Sequence, residues 1–288
     1  MQRIGRPRIG RWSTDRLIRL ALSHGSAQRL RDIVGHLHRR GSQVTMARIV
    51  RLVRSPNAHR RALGLDIAAQ LRAGGDGVEA GKPFDEATTQ AMLVAGLADA
   101  NAGVVQSAVF GLGHSPHATA LPALLSHARH PAALVRFALA FTLAKYPAVE
   151  ATAALVELAA DLDDDVRDWA TFSLGTLHDA DDEHVRARLW ANAHDPDRDV
   201  RGEAVVGLAR RGDLRVIDLL KARLLDEDCR VYELEAAEEM PRGELLETLR
   251  QVRADAEQRR DIGSLWYSHL LDAIDACELV ADTAGRDA

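Results

Sequence analysis

The chain has 288 residues, of which 47% are hydrophobic and 27% are charged, so it can bury a core and is not a disordered chain. No stretch approaches the roughly 18 uncharged apolar residues of a membrane span, and the first twelve residues lack the apolar run of a signal peptide. We therefore expect a cytoplasmic protein that does not bind membranes. Cys229 and Cys277 lie far apart, which indicates neither a disulfide framework nor a zinc knuckle.

The net charge of −5 conceals two regions of opposite sign. Residues 1–61 contain fifteen arginines and two acidic residues, which gives +13, whereas the other 22 basic and 40 acidic residues give −18. Such a separation favours a charged partner or self-association. We expect a monomer or a weakly self-associating protein.

The basic region begins with a predicted flexible arm at residues 1–12, followed by helices over 13–55 that cap the rest of the fold. The last of these helices, at 44–55, is amphipathic, and its basic face carries Arg48, Arg51 and Arg54. This face has two interpretations: a solvated surface that balances the acidic remainder, or a phosphate-binding surface.

Four segments of the central region align without gaps. They read VVQSAVFGLG, VRFALAFTLA, VRDWATFSLG and VRGEAVVGLA, and they begin at Val104, Val135, Val166 and Val200. A diverged copy, CRVYELEAAE, begins at Cys229, and an earlier one begins at His59. The chain therefore contains an internal repeat, which must be recognised before any fold is assigned.

Each copy carries apolar residues at i, i+4 and i+8, the spacing of one helical face. The segments between the copies also predict helices, at 120–130, 151–161, 183–194 and 214–225. Each repeat is then an antiparallel helix pair, which buries both faces only by stacking on its neighbours. Strand signals are absent from the sequence.

The pattern D-x-D-x-x-V-R-x-x-A-x-x-x-L-G resembles the HEAT-like repeats first associated with phycobilin lyases, over roughly residues 55–240. The chain is also similar to bacterial HEAT-repeat proteins without an assigned activity. The resemblance implies an all-α fold, an α-solenoid of the HEAT-like or armadillo type, in which about seven antiparallel helix pairs form a right-handed superhelix. We expect the repeats at 56–240, capping helices at 241–281 and a frayed tail at 282–288.

An acidic corner precedes the second helix of several repeats. An aspartate before a helix accepts hydrogen bonds from its free N–H groups, and the following arginine pairs with an aspartate of the adjacent repeat. The residues of these predicted structural corners are Asp163, Asp165, Arg167, Asp197, Asp199, Arg201, Asp228 and Arg230. A calcium loop is excluded, because Val166 and Phe172 stand where such a loop needs glycine and glutamate.

A metal site is not expected. The four histidines nearest to one another are His114, His117, His127 and His130, two of them in turn or cap positions. The chain has none of the His-Glu dipeptides through which deoxyhypusine hydroxylase, an enzyme with HEAT repeats, binds iron. We therefore expect no metal, no cofactor and no catalytic residue.

Aromatic residues mark a candidate binding surface. Phe110, Phe141 and Phe172 occupy one position in three successive copies, where they either fill contacts between repeats, which we favour, or form an apolar track. The candidate partner-binding residues on the inner surface are Phe137, Phe141, Asp168, Trp169, Phe172 and Glu203.

These residues predict a non-enzymatic scaffold or adaptor that binds a protein or peptide. One alternative is a nucleic-acid-associated protein that uses the arginine-rich first 61 residues. The other is a lyase or metal-dependent enzyme, by analogy of fold alone.

Overall fold

The computed structural model describes residues 9, 12–23, 27–74, 80–258 and 263–284. These residues form sixteen α-helices and no β-strand beyond isolated bridges, which confirms the all-α fold class. The chain divides into two compact units, Met1–Tyr146 (unit 1) and Pro147–Ala288 (unit 2). Apart from Ile9 and Trp12, the predicted arm lies outside the described residues, as does 285–288 of the predicted tail. The predicted domain limits stay predictions.

Unit 1 contains eight helices. They are α1 (Thr14–Leu22), α2 (Ala27–His38), α3 (Gln43–Val53), α4 (Ala58–Ala69), α5 (Glu86–Gly96), α6 (Ala102–His114), α7 (Leu121–Leu125) and α8 (Ala133–Leu143). The second helices of successive pairs, α4, α6 and α8, pack side by side, and α2 packs against α4.

Unit 2 contains the other eight. They are α9 (Val149–Leu158), α10 (Asp164–Phe172), α11 (Glu183–Asn192), α12 (Arg198–Arg210), α13 (Val216–Leu224), α14 (Val231–Glu239), α15 (Leu246–Glu257) and α16 (Ser264–Ala284). Here α10, α12, α14 and α16 pack in sequence, and α11, α13 and α15 cover their other side. From α3 to α16 the helices alternate as first and second members of seven pairs.

The polar residues before the helices act as N-caps. In eight helices the side chain of a serine, asparagine or aspartate accepts a hydrogen bond from a backbone N–H of the first turn, which stabilises the helix by about 1 kcal/mol. These caps are Ser13, Ser42, Asn57, Asp85, Asn101, Asp163, Asp182 and Asp197. Local sequence therefore sets where half of the helices begin.

The i, i+4, i+8 positions of all four aligned copies are buried, as predicted. Val166, Ala170 and Leu174 of the third copy are fully inaccessible, and the other three copies are at most 1% exposed at these positions. Just after the end of α10 the backbone at Gly175 closely approaches α12, because a Cβ placed on Gly207 would lie 2.6 Å from the Cα of Gly175. Small residues thus allow the second helices to pack tightly.

The predicted helix at 120–130 is much shorter than expected. The α-helix covers only Leu121–Leu125, after a 3-10 turn at Ala118–Ala120. The hydroxyl of Ser126 donates to the carbonyl of Ala123 at 2.7 Å, and Nδ1 of His127 lies 3.0 Å from the same oxygen. These side chains compete with the backbone for that carbonyl, and the chain continues as tight turns.

The end of the second helix of the α9–α10 pair is held by an arginine from the next repeat. After α10 the chain forms a π-helical turn, Ser173–Leu177, whose carbonyls lack the usual helical partners. The guanidinium of Arg211, whose side chain is 6% exposed, donates to the carbonyls of Leu174, Gly175, His178, Ala180 and Gly207. One buried cation therefore satisfies carbonyls on both sides of the contact between two repeats.

Replacing Arg211 with alanine is expected to lower the free energy of unfolding by about 2–4 kcal/mol, because several buried carbonyls lose their donor. The neighbouring Arg210→Ala removes an exposed ion pair with Glu239 and should cost less than about 1 kcal/mol. Denaturant unfolding of both variants measures the difference. Equal losses would show that the bonds of Arg211 contribute nothing beyond a surface ion pair.

Candidate functional site

The acidic corners of unit 2 hold neighbouring repeats together. The side chain of Asp163 accepts from the backbone N–H of Val166 at 3.2 Å, and Arg167 donates to Asp195 of the next repeat at 3.0 Å. The side chains of Arg167 and Asp195 are both nearly buried. These groups cap helices and join repeats, so they are engaged within the protein.

The other predicted corner residues have similar roles. Asp197 caps α12, and Arg201 donates to the backbone carbonyls of residues 195 and 196. Two further ion pairs join repeats within unit 2, and one joins repeats within unit 1. These pairs are Arg198–Asp228 at 3.1 Å, Arg230–Asp199 at 3.1 Å and, in unit 1, Arg61–Asp99 at 2.7 Å. Asp165 lies exposed in the first turn of α10.

Unit 1 brings together two of the six predicted partner-binding residues. Phe137 and Phe141 of α8 both make edge-on contacts with Phe110 of α6, with ring centroids 6.2 and 5.4 Å apart. All three rings are half-buried. Lys145 lies 5.6 Å from the ring of Phe141. The rings therefore fill a contact between repeats while one side of each stays accessible.

Unit 2 brings together the other four. Helix α10 positions Asp168, Trp169 and Phe172, with the two rings edge-on at 5.7 Å, and α12 positions Glu203. Two residues of α14, Tyr232 and Glu235, complete the group. We call these six half-buried residues, Asp168, Trp169, Phe172, Glu203, Tyr232 and Glu235, the acidic–aromatic surface.

A glycine makes room for the tyrosine of this surface. A Cβ on Gly202 would lie 2.2 Å from Cδ2 of Tyr232, so the ring lies directly against the backbone of α12. Its hydroxyl is a hydrogen-bond partner of the Glu203 carboxylate. The contact between α12 and α14 thus sets the position of both groups.

Asp168 has an unusual electrostatic environment for a surface carboxylate. Burial raises the pKa of Asp168 to about 6, and the negative charges of Asp199, Asp197 and Asp165 contribute in the same direction. Its Oδ1 atom is inaccessible and has no hydrogen-bond partner. A buried, unpartnered carboxylate oxygen is unfavourable and is stabilised by any donor that reaches it.

The pKa of Glu203 is shifted more strongly than that of Asp168. Its pKa is raised to about 8, chiefly by burial and also by the charges of Asp168, Glu235 and Asp199, while the hydrogen bond from the Tyr232 hydroxyl opposes the shift. The charges that act most strongly on Asp168 and Glu203 are all negative. A cationic group placed between them would supply the charge and the donors that the fold does not.

Sequence reasoning missed Tyr232 and Glu235. In the diverged copy CRVYELEAAE, Tyr232 stands at the repeat position of Trp169 and Glu203, and Glu235 stands at that of Phe172. The alignment therefore contained the signal, but the low similarity of this copy hid it. The position of core Ala170 is taken there by Glu233, whose carboxylate accepts from the backbone N–H of Arg230 at 2.9 Å.

The predicted basic face of α3 is partly neutralised. Arg48 forms a bidentate ion pair with Asp15 of α1, whereas Arg51 and Arg54 are exposed. The nucleic-acid alternative stays a prediction.

Within the described part of the chain, no group of three or more histidine, cysteine, aspartate or glutamate side chains is arranged to hold a metal ion. In the same residues no helix has the length and apolar character needed to cross a membrane. The cytoplasmic location stays a prediction.

Comparison with known proteins agrees with the repeat architecture. Residues 91–175 match the family model for HEAT repeats. The YibA protein of Escherichia coli superposes with a TM-score of 0.69 at 22% identity, over 96% of this chain and 99% of that chain. An engineered protein superposes with a TM-score of 0.50 at 18% identity, over 91% and 77% of the respective chains.

The complex of CpcE and CpcF of phycocyanin lyase from a Nostoc species gives a TM-score of 0.47 at 14% identity, over 96% and 99% of the respective chains. None of the curated protein sequences matches the chain significantly. The predicted resemblance to HEAT-like repeats is thus confirmed, and at these identities it concerns the fold. The chain has the fold of a repeat-protein scaffold.

The raised pKa of Glu203 predicts a loss of stability with rising pH. The folded state binds the proton more tightly than the unfolded state, so this group favours folding below its ordinary pKa near 4.5 and loses that contribution as pH rises to about 8. Glu203→Gln should therefore raise the melting temperature by about 2–4 °C at high pH, the shift that about 1 kcal/mol produces in a chain of this size.

Thermal unfolding followed at about pH 5 and pH 9 checks this prediction. The difference in melting temperature between Glu203→Gln and the unmodified protein should be small at the lower pH. Glu247→Gln, an exposed position of α15, is the matched control for the chemical change. A gain of equal size at both pH values would contradict the assignment.

Proposed function

We propose that the chain is a scaffold without catalytic activity of its own, whose acidic–aromatic surface binds a basic segment of a protein or peptide. The observation that carries this proposal is the pair of half-buried carboxylates, Asp168 and Glu203, which have raised pKa values and no cation beside them. The repeat fold supports it, because stacked helix pairs present extended surfaces suited to binding other chains.

The two carboxylates favour a cationic side chain over a neutral one as their binding partner. An arginine or lysine at this position donates charge-assisted hydrogen bonds, which are about twice as strong as neutral ones. Partly desolvated charges interact more strongly than exposed ones, so the environment that raises the two pKa values also strengthens the pairing.

The aromatic side chains favour arginine in particular. Trp169, Phe172 and Tyr232 lie on the same surface as the carboxylates. A guanidinium stacks on an aromatic face while its N–H groups point to carboxylates in the plane of the group, whereas an ammonium only acts as a point charge. We therefore expect an arginine-containing segment to bind more tightly than a lysine-containing one.

The same surface disfavours nucleic acid as its ligand, because closely spaced carboxylates repel phosphates. The corner arginines of unit 2 do not offset this repulsion, because they are paired with aspartates, as in Arg167–Asp195 and Arg230–Asp199. The lyase or metal-enzyme alternative has no supporting group of ligands in the described residues.

Removing both carboxylate charges should weaken binding of a basic peptide. For a fluorescently labelled peptide of alternating arginine and glycine, Asp168→Asn with Glu203→Gln is expected to raise Kd at least about tenfold, since one charge-assisted hydrogen bond contributes about 1.5–3 kcal/mol. Fluorescence anisotropy measures the affinity, and a glutamate–glycine peptide should not bind.

The matched control is Asp218→Asn with Glu247→Gln, which removes two exposed charges of the same unit outside the surface. This variant should bind like the unmodified protein. If it weakens binding as much as the surface variant does, the peptide responds only to net charge and the proposed surface is wrong.

Binding of the same peptide should strengthen as pH rises. The arginine cations bind the ionised carboxylates, and with a pKa of about 8 for Glu203 only about a tenth of the molecules are ionised there at pH 7. The apparent affinity should therefore increase about tenfold from pH 7 to pH 9 at constant salt, because it scales with the competent fraction.

The other acidic side chains around this position are Asp165, Asp168, Asp197, Asp199, Tyr232 and Glu235. Glu203→Gln is expected to flatten the dependence above pH 7, which separates its proton from theirs. An unchanged pH profile in this variant would show that another group controls binding.

A further inference from the structure

Unit 1 contains a cleft that no part of the proposed function uses. It has a volume of about 450 Å³ and lies between α2, α4 and α6. Its walls are largely apolar, with Val34 on α2, Leu63 on α4 and Phe110 on α6. This volume is within the range of sites that bind small organic molecules, about 300–1,000 Å³.

A single carboxylate stands between the apolar walls. Asp66 of α4 lines the cleft beside Ser107 of α6, which is its hydrogen-bond partner. Asp66 is exposed to solvent although protein atoms surround its carboxyl group, a combination that the wall of a concave site produces. Burial raises the pKa of Asp66, and the bond from Ser107 and the charge of His59 oppose the shift.

The other end of the cleft has a different character. His114 lines it there, whereas the Nε2 atom of His38 lies 3.0 Å from the backbone oxygen of Asp66. Burial lowers the pKa of both imidazoles, so that they are neutral at slightly alkaline pH. The positive charges of Arg72 and Lys145 act on His114. Ser107 and His114 are seven residues apart on α6, which is about 10 Å along the helix. A cation is therefore favoured at the Asp66 end alone.

Arginine at the rim does not neutralise the carboxylate. The guanidinium of Arg31 donates to the side chain of Gln28 at 2.9 Å on the same helix, and Arg31 is exposed. Asp66 has no ion pair with it. Charge complementarity thus defines the ligand chemistry: an apolar body with one positive group.

We propose that this cleft is a binding site for a small organic cation, in which an amine or guanidinium pairs with Asp66 and Ser107. The apolar body of the ligand packs between Val34, Leu63 and Phe110. The site is separate from the acidic–aromatic surface of unit 2, and its existence does not depend on a basic protein partner.

A glycine offers a way to fill the cleft without disturbing the fold. Gly35 of α2 lines the cleft, and a Cβ placed on it would have no atom within 4 Å. Gly35→Leu therefore extends a side chain into empty space. Glycine inside a helix is unfavourable, so this variant should be at least as heat-stable as the unmodified protein.

The experiment uses phenethylamine as the probe, with phenethyl alcohol and phenylacetate as its neutral and anionic counterparts. Ligand-observed NMR on the full chain at about pH 8, where the carboxylate is ionised, measures the three affinities. A ligand of this size should bind with Kd on the order of 1 mM. We expect the amine to bind at least about tenfold more tightly than either counterpart.

The variants locate the binding. Asp66→Asn should lower the affinity for phenethylamine to that for phenethyl alcohol. Gly35→Leu should abolish binding of both probes, and Gly35→Ala should weaken it to an intermediate degree. The matched controls are Glu86→Gln, which removes one exposed charge of α5, and Ala91→Leu, which adds the same side chain at an exposed position of that helix. Both controls should leave Kd unchanged.

Three results would overturn the proposal: no binding of phenethylamine to the unmodified protein at tens of millimolar, equal binding of phenylacetate, or an Asp66→Asn variant that keeps the preference for the amine. Binding that Gly35→Leu leaves unchanged, in a variant whose melting temperature shows that it is folded, would place the probe elsewhere and overturn it as well.

Discussion

The close side-by-side packing of second helices is the constraint on which the rest of each unit depends. Where the turn after α10 meets α12, the backbones approach at Gly175 and Gly207, and a Cβ on Gly207 would lie 2.6 Å from the Cα of Gly175. Because neighbouring helices are this near, side chains at one repeat position come together across repeats. Residues about thirty positions apart in sequence, such as Trp169, Glu203 and Tyr232, thereby form one surface. In a repeat fold, side chains at the same position of successive repeats can therefore form one binding surface.

That geometry also separates two kinds of acidic residue. The corner aspartates sit at helix starts, where free N–H groups and an arginine of the next repeat meet them, as at Asp195 with Arg167. Asp168 and Glu203 lie beyond the first turn, where the N–H groups are already used and each carboxylate meets others. The corner acids contribute to folding by pairing, whereas the second kind is left without a counter-charge.

The sequence predicts the fold well because the periodicity of the repeat is visible in the aligned copies. The buried stripe at Val166, Ala170 and Leu174 follows from residue spacing alone. It predicts the site only in part. Asp168 and Glu203 could be named from their helical positions, but their pKa values depend on how much water the neighbouring helices exclude, which one sequence does not state. The cleft at Asp66 could not be predicted, since one of its walls, α2, is not a copy of the repeat.

The energetic cost of Asp168 and Glu203 is itself an argument for their use. With pKa values of about 6 and about 8, both carboxylates are harder to ionise in the folded protein than in the unfolded chain, so their ionisation opposes folding. Asparagine or glutamine has nearly the same shape and would avoid this cost, while no hydrogen bond or ion pair within the described residues requires the charge of Asp168. Residues that break the local rules of stability without compensation within the fold mark functional positions more often than structural ones. A cation would compensate the charges of the two carboxylates, and a bound basic segment supplies such a cation.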